Sequence, residues 1–337
     1  MPYEQGPIRP PSEARSLLVR VSRNCPWNRC AFCPVYKGAP FSLRSADEVL
    51  ADLDAMRDQL GDRYRTAFLQ DADPLSTKPA ELVRILEGLR RRFPSVQRVT
   101  AYARSRSLAR LPREDLEGLK AAGLDRVHVG LESGCDAVLG LVSKGVSREQ
   151  QIRGCREALQ AGLELSVYVM PGLGGVELSR AHAEDTATAI AAIGPHFVRL
   201  RTTVAMPGTP LHTLQEQGCW RPLSDLATLG ELRRFLAGLA GVHTRLESDH
   251  VLNLLMELRG DLPRELSDLL ALIDGFLAWP LRRQQRYAIA RRAGWCMSLT
   301  HYEHLGLEGQ AEEALLDLET QGRDMEDVLA QLRARTM

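Results

Sequence analysis

Three cysteines fall within nine residues, in the run Cys25-Pro26-Trp27-Asn28-Arg29-Cys30-Ala31-Phe32-Cys33-Pro34. Four residues separate the first pair and two the second. Thiolates are the usual ligands of iron–sulfur clusters, and short spacings let one loop wrap a cubane. Three thiolates rather than four leave one metal position open to a small ligand, which separates a catalytic metal from a closed structural one. Zinc is the rival reading of the spacing, and three buried thiols without metal is a third. A structural zinc site lacks a nearby fourth ligand here, since His128 and His182 lie far along the chain. The remaining cysteines, Cys135, Cys155, Cys219 and Cys296, are scattered. Neither Cys135 nor Cys296 has a partner at ligand-like spacing, so a single cluster is expected.

A loop of this kind needs strands and helices to carry it. Strand-like runs occur at Ser16–Ser22, Tyr64–Gln70, Val96–Ala103, Asp125–Leu131, Leu163–Val169 and Phe197–Thr203. Helical spacing fills the gaps at Ala46–Leu60, Pro79–Arg91, Arg113–Ala122, Ser147–Ala161 and Ser179–Ile193, with Ser147 as an N-cap and Gly123 and Gly162 as stops. This alternation calls for an α/β fold with a parallel sheet and right-handed crossovers. Such folds place their chemistry at the carboxyl ends of the strands. The cysteine run directly follows the first strand. After Pro210 only helix-like stretches stand out, at Ser224–Gly238, Ser248–Leu258, Arg264–Leu277, Leu281–Arg292, Glu308–Thr320 and Met325–Arg335.

The other strand ends carry chemistry-bearing residues, each with a plainer reading. Asp71 and Asp73 offer carboxylates to a cation, or they are turn residues and caps. Arg104 and Ser105 suit an anion or a hydroxyl, or a surface and a helix cap. Gly130 permits close backbone approach ahead of Glu132, a carboxylate that is costly to bury unless paired. Tyr168, Met170 and the glycines Gly172, Gly174 and Gly175 allow a flat ligand to lie against the chain. A phosphate-cradling loop would need a Lys-Ser/Thr ending that is missing. Arg199 and Arg201 share one strand face, for an anionic group or for internal salt bridges with acids such as Glu132. His250 and Asn253, three apart on an expected helix, reach a substrate or merely follow a capping Ser248 or Asp249. Tyr168, Arg199, Arg201 and His250 are thus the candidates for catalytic contact. The run Arg282, Arg283, Arg286, Arg291 and Arg292 reads as a solvated helix face, with RNA or lipid as the alternative.

Cys25 to Lys37 resembles the signature loop of the radical S-adenosylmethionine (SAM) superfamily. The four-residue first gap resembles elongator-type tRNA-modifying enzymes and a group of stand-alone Fe–S oxidoreductases. The flanks Asn24, Pro26, Trp27, Asn28 and Pro34-Val35-Tyr36-Lys37-Gly38 look like the latter group. The resemblance covers roughly residues 7–280. It implies a partial (β/α)6 barrel over residues 16–210, after an extension over 1–15 and before an all-helical region over 211–337. It implies one [4Fe–4S] cluster on Cys25, Cys30 and Cys33, with SAM chelating the open iron. One electron then cleaves SAM, and the 5′-deoxyadenosyl radical abstracts hydrogen from a substrate. It further implies that Asp71 or Asp73 meets the SAM amine and that Arg104 or Ser105 meets its carboxylate or ribose. Glu132 would address SAM, and Met170 and Gly172 would lie against the adenine. An electron donor such as flavodoxin or ferredoxin is the implied partner.

Lys+Arg and Asp+Glu both number 43, so the 337-residue chain has no net charge and no broad field for nucleic acid or anionic membrane. No run of about 18 apolar residues exists to span a bilayer. The polar, proline-rich N-terminus is unlike a secretory signal, and a cytoplasmic protein is expected. Three functions compete: a radical SAM oxidoreductase acting on a small or medium substrate, a tRNA-modifying radical SAM enzyme, and a non-catalytic Fe–S or zinc module. The second lacks an acetyltransferase domain, a small β-barrel tail and a second cysteine triad. With about fifteen residues before the first strand, cobalamin-dependent methylation is the less expected chemistry.

Overall fold

Strands covered on both faces need near-continuous apolar runs, and the first half of the chain supplies them. The computed structural model describes residues 9–335, which fall into two compact units. The expected extension over residues 1–15 lies mostly outside the described residues.

The first unit runs to Leu131 and includes Ser143–Tyr168. Its strands β1 (Leu17–Arg20), β2 (Thr66–Gln70), β3 (Arg98–Ala103), β4 (Leu124–Glu132) and β5 (Glu164–Val169) are neighbours in that order. β1 to β4 form parallel ladders, with Leu17 opposite Ala67 and Phe68 opposite Thr100. Ala67, Phe68, Leu69, Val99, Ala101, Val127 and Val129 are all fully buried. The crossovers are α1 (Ala46–Leu60), α2 (Pro79–Arg92), α3 (Arg113–Ala121) and α4 (Arg148–Gln160). Capping boxes start α1 and α4, Ser45 with Glu48 and Ser147 with Gln150. Ahead of β1, the buried Glu13 accepts a hydrogen bond from Ser16 Oγ at 2.6 Å and pairs with His128 Nε2 of β4 at 3.3 Å. Burial raises the Glu13 carboxyl, but the His128 and Ser16 hydrogen bonds outweigh it and hold the group below its ordinary value.

The second unit comprises Glu132–Val142 and the chain from Val169 onward. It holds α5 (Gly175–Ile193), β6 (Phe197–Leu200), α6 (Asp225–Ala237), β7 (Thr244–Glu247), β8 (Gly260–Leu262), α7 (Leu266–Leu277) and α8 (Leu281–Arg292). Further helices follow at Leu299–Leu305, Glu308–Thr320 and Met325–Arg335. β7 pairs parallel with β6 and antiparallel with β8. The α/β class with six leading strand–helix repeats stands.

Two expectations for the C-terminal region need correction. It is not all-helical, because β7 and β8 are strands of four and three residues, too short to show a period. Nor is Ser248–Leu258 a helix; it is a chain of turns. Its carbonyls find distant side-chain donors instead of a helical ladder. Arg291 Nη2 reaches the carbonyls of Val251 and Asn253 at 2.7 and 3.1 Å, and Arg292 Nη1 that of Leu252 at 2.8 Å. Tyr287 Oη donates to Leu254 at 2.9 Å. The arginine run is therefore no simple solvated face, since Arg291 and Arg292 are buried. No helix among the described residues is long and apolar enough to cross a membrane.

Candidate functional site

The cysteine loop leaves the carboxyl end of β1 through a two-residue ladder, Ser22–Arg23 against Ser42–Leu43. Asn24 and Asn28 adopt left-handed backbone, φ 63° and 46°, on either side of Cys25. Asparagine tolerates that region better than most residues. Their amides fasten the loop: Asn24 Nδ2 donates to Pro40 O and Asn28 Nδ2 to Tyr36 O, both at 2.5 Å. Lys37 Nζ donates to the carbonyls of Asn28 and Cys30 at 3.0 and 3.1 Å. Asn28 N points at Cys25 Sγ, 3.4 Å away, and Cys33 N donates to Cys30 O at 3.3 Å.

Cys25, Cys30 and Cys33 are half-buried, and no disulfide joins any of the seven cysteines. Among the described residues no three His, Cys, Asp or Glu side chains stand ready-gathered about a metal. The sulfurs are thus carried on a tethered loop rather than in a preformed cage. This donor set, three accessible thiols with an amide aimed at one sulfur, fits a three-ligated iron–sulfur cluster. Two of the other thiols are poorer donors. Burial pushes Cys155 up to about 12 and Cys296 up to about 11, keeping both protonated and poor ligands.

Asp71 closes β2 at φ 71° and forms an ion pair with Arg20 of β1 at 3.1 Å. Tyr36 is buried beside it. Burial first, then the charges of Asp71, Tyr102, Cys33 and Cys25, push its phenol far up, so it stays a neutral hydroxyl. That pattern brings Asp71 and the sulfurs within electrostatic reach of one side chain. Asp73, Arg104 and Ser105, expected beside the cofactor, also meet protein partners. Asp73 accepts from Arg104 N at 3.2 Å, Ser76 Oγ at 2.9 Å and Ser107 Oγ at 2.5 Å. Burial still raises its pKa against those bonds. Ser105 Oγ faces Gln151 at 3.5 Å in the interior. The Arg104 guanidinium donates to Lys144 O at 3.3 Å and lies over Trp27, 5.4 Å from its ring centre.

A brace behind the cysteine loop was not foreseen. Trp27 Nε1 donates to Ser143 O at 2.8 Å, Arg106 to Gly145 O at 3.0 Å, and Lys144 sits over Phe32 at 5.7 Å. A Cβ on Gly145 (φ 74°) would stand 2.2 Å from the Trp27 ring, so only glycine fits there. The positive-φ glycine in Ser143-Lys144-Gly145 was the available signal, but nothing local ties it to Trp27.

Tyr168, on β5, shares a row of rings with His128, Tyr102 and Phe68, at successive centroid distances of 6.4, 6.4 and 4.9 Å.

In the second unit, Glu132 ends its strand at φ 65°. Asn24, Asn28, Asp71 and Glu132 are four of the five non-glycine positive-φ residues among those described. Strain of this kind gathers at functional sites. The turns around Glu132 and Met170 are tied together. Met170 N donates to Glu132 O at 3.0 Å, and the buried His182 of α5 spans Met170 O at 3.0 Å and Ser133 Oγ at 2.8 Å. In the neutral ring the proton sits on Nε2, because a carbonyl only accepts, and Nδ1 accepts from Ser133. Glu231 of α6 takes Gly172 N at 2.6 Å. His182 and Glu231 thereby fix the Met170-Pro171-Gly172 backbone.

Arg199 is buried in an ion pair with Asp249, the internal salt-bridge reading with a different acid from Glu132. Asn253 does not share a helix face with His250. Its amide accepts from Thr202 N at 3.0 Å and donates to Leu200 O at 2.8 Å, clamping the end of β6. His250 accepts from Leu252 N at 3.2 Å. Burial, then the Arg201 charge, lowers its pKa to about 4. The unfolded chain takes up this proton near 6.5 and the folded chain only near 4, so stability should fall as pH drops through that window. His250→Asn is expected to flatten the fall of the urea midpoint between about pH 6.5 and about pH 5. Equal slopes for variant and parent would refute the assignment.

The family model of the radical SAM superfamily matches residues 19–187, half of the chain. A biotin synthase of Maridesulfovibrio salexigens is 26% identical over 218 residues, 63% of this chain and 62% of that protein. A 4′-phospho-dehydrooxetanocin synthase of Priestia megaterium is 28% identical over 170 residues, 45% of this chain and 23% of that protein. The chain spans less than two thirds of the length of these relatives. The structure of the cobalamin-dependent SAM radical enzyme OxsB, with aqua-cobalamin and SAM bound, superposes with a TM-score of 0.51 at 14% identity. It covers 94% of this chain and 52% of that one, a likeness of fold. The match over the thiol loop and the strands behind it means that this chain belongs to the radical SAM superfamily, an enzyme with a [4Fe–4S] cluster and S-adenosylmethionine as cofactors.

Proposed function

We propose that the chain cleaves SAM reductively and uses the resulting radical to abstract hydrogen from a small or medium organic substrate. The observation that carries this is the tethered three-thiol loop within the family match. Bound there, cluster and SAM supply one-electron cleavage of the C5′–sulfur bond and a 5′-deoxyadenosyl radical. The protein's part is to hold and to orient. Cys25, Cys30 and Cys33 hold the cluster, and Lys37, Asn24 and Asn28 keep their loop in shape. Asp71 lends negative charge for the SAM ammonium, while Tyr36 stays a neutral hydroxyl. Glu132, Met170 and Gly172 serve the ribose and adenine, through a backbone that His182 and Glu231 keep fixed. Arg201, the uncharged His250 and Tyr168 are the side chains assigned to substrate contact.

The test is anaerobic reconstitution with iron and sulfide, then incubation with SAM and dithionite and nucleoside analysis. Accumulation of 5′-deoxyadenosine is expected. S-Adenosylhomocysteine in its place would mean methyl transfer, and intact SAM beside a loaded cluster would refute the proposal.

A further inference from the structure

We propose that Arg201 and His250 together bind an oxyanion, a carboxylate or phosphate group, carried by the substrate. The inference rests on the functional reading above, which assigns both side chains to substrate contact, and adds the chemical class that they take. Arg201 is the first residue beyond β6, and its backbone N–H donates to Val169 O at 2.9 Å, so it stands at the carboxyl rim of the strand. Arg199, two residues earlier, shares its face, while Val198 and Leu200 are buried on the other.

Deeper on that face charge is already balanced. Arg199 is paired with Asp249. Glu247, opposite Arg199 in the β6–β7 register, accepts from Arg245 Nε at 2.6 Å. These two carboxylates thus each have an arginine other than Arg201. Arg201 itself is half-buried. A guanidinium carries five N–H donors, so it can keep a protein acceptor on one edge and present two parallel donors to an oxyanion on the other.

His250 supplies a second donor of a different kind. Its turn is held from several sides: Leu252 N donates to His250 Nδ1 at 3.2 Å and Asn253 N to His250 O at 2.9 Å. Arg291 and Arg292 grip the carbonyls of Val251 and Leu252 that follow. With Nδ1 used as an acceptor, the proton of the neutral ring sits on Nε2. Burial, then the nearby Arg201 charge, keeps the ring neutral at ordinary pH. One cation and one neutral N–H donor therefore stand together without repelling each other. Neither has a lone pair to offer a ligand, which suits an anion and disfavours an ammonium group.

The experiment titrates the reconstituted full chain, isotope-labelled at histidine, with inorganic phosphate and separately with acetate, at neutral pH and constant ionic strength. The readout is the His250 Cε1–H resonance, identified by its loss in His250→Gln. We expect it to move saturably with at least one of the two anions. Half-saturation should need about tenfold or more anion in Arg201→Gln, as for the loss of a charged hydrogen-bonding partner. Arg201→Lys, which keeps the charge but not the fork, should lose less. Phosphate acting where acetate fails would mark the substrate group as a phosphate, and the reverse as a carboxylate. No saturable movement with either anion would overturn the proposal, as would equal half-saturation in parent and Arg201→Gln. SAM affinity, measured by equilibrium dialysis, should match between parent and Arg201→Gln. A loss there as large as the loss for the anion would assign Arg201 to the SAM carboxylate and overturn the proposal too. Absence of 5′-deoxyadenosine from the parent would instead sink the functional reading, and the titration would still decide whether this pair takes an oxyanion.

Discussion

Cys30→Ala is expected to give a protein that takes up no stable cluster and forms no detectable 5′-deoxyadenosine. Cys30 is one of three thiolates on a loop that supplies no fourth, so its loss leaves two ligands for a cubane. Residues that act as one unit lose nearly all function when any member goes. The fold should survive, because Cys30 is half-buried on a surface loop and contributes little to the core. Far-ultraviolet circular dichroism and the urea midpoint should therefore match the parent. Cys219→Ala is the control: that thiol is exposed and far along the chain, and its removal should change neither iron content nor spectrum. A Cys30→Ala protein with the parent's iron, sulfide and visible absorption would show that the ligand set is drawn wrongly.

Arg292→Ala is expected to destabilise the second unit by roughly 3–5 kcal/mol, as for a buried pair that loses one member. The Arg292 Nε and Nη2 atoms reach the two Asp225 oxygens at 3.0 and 2.5 Å, and both side chains are 2% exposed. Arg333 adds a second contact to Asp225 at 3.4 Å. Removing Arg292 takes away the bidentate partner, leaves that buried carboxylate with the weaker Arg333 contact and the Arg291 charge, and frees the Leu252 carbonyl. A native stability of about 5–15 kcal/mol makes such a loss large. The urea midpoint measures it, and a midpoint within experimental error of the parent would refute the pair's importance. Burial raises the Asp225 pKa, but Arg292 outweighs it and leaves the carboxyl below its ordinary value. Its stabilisation is thus present above the ordinary carboxylate range and is lost as pH falls through the folded value. At neutral pH the parent has all of it, so the difference between parent and variant should narrow on acidification.

Some of this was legible in the residues themselves. α8, at Leu281–Arg292, and the cap at Ser147 follow from neighbours three or four positions apart and stand as expected. The thiol loop was legible for the same reason, since its three cysteines lie within nine residues. Asp71 and Glu132 were recognisable as strand-end carboxylates because a parallel α/β pattern points to that rim.

What local sequence could not determine are the features whose partners lie far away. Ser248–Leu258 has helical spacing, yet donors on α8 hold its carbonyls and no helix forms. Asp73 accepts from Ser107 and Ser105 faces Gln151, partners 34 and 46 positions away. Gly145 meets Trp27 across 118 positions, Gly172 meets Glu231 across 59, and Arg292 meets Asp225 across 67. A backbone period encodes which face a residue shows, and a cap encodes where a helix begins. Neither encodes which distant group will satisfy a buried polar atom. The sequence alone therefore carried the strand–helix order and the spacing of the three thiols, and tertiary packing decided which distant groups the buried polar residues meet.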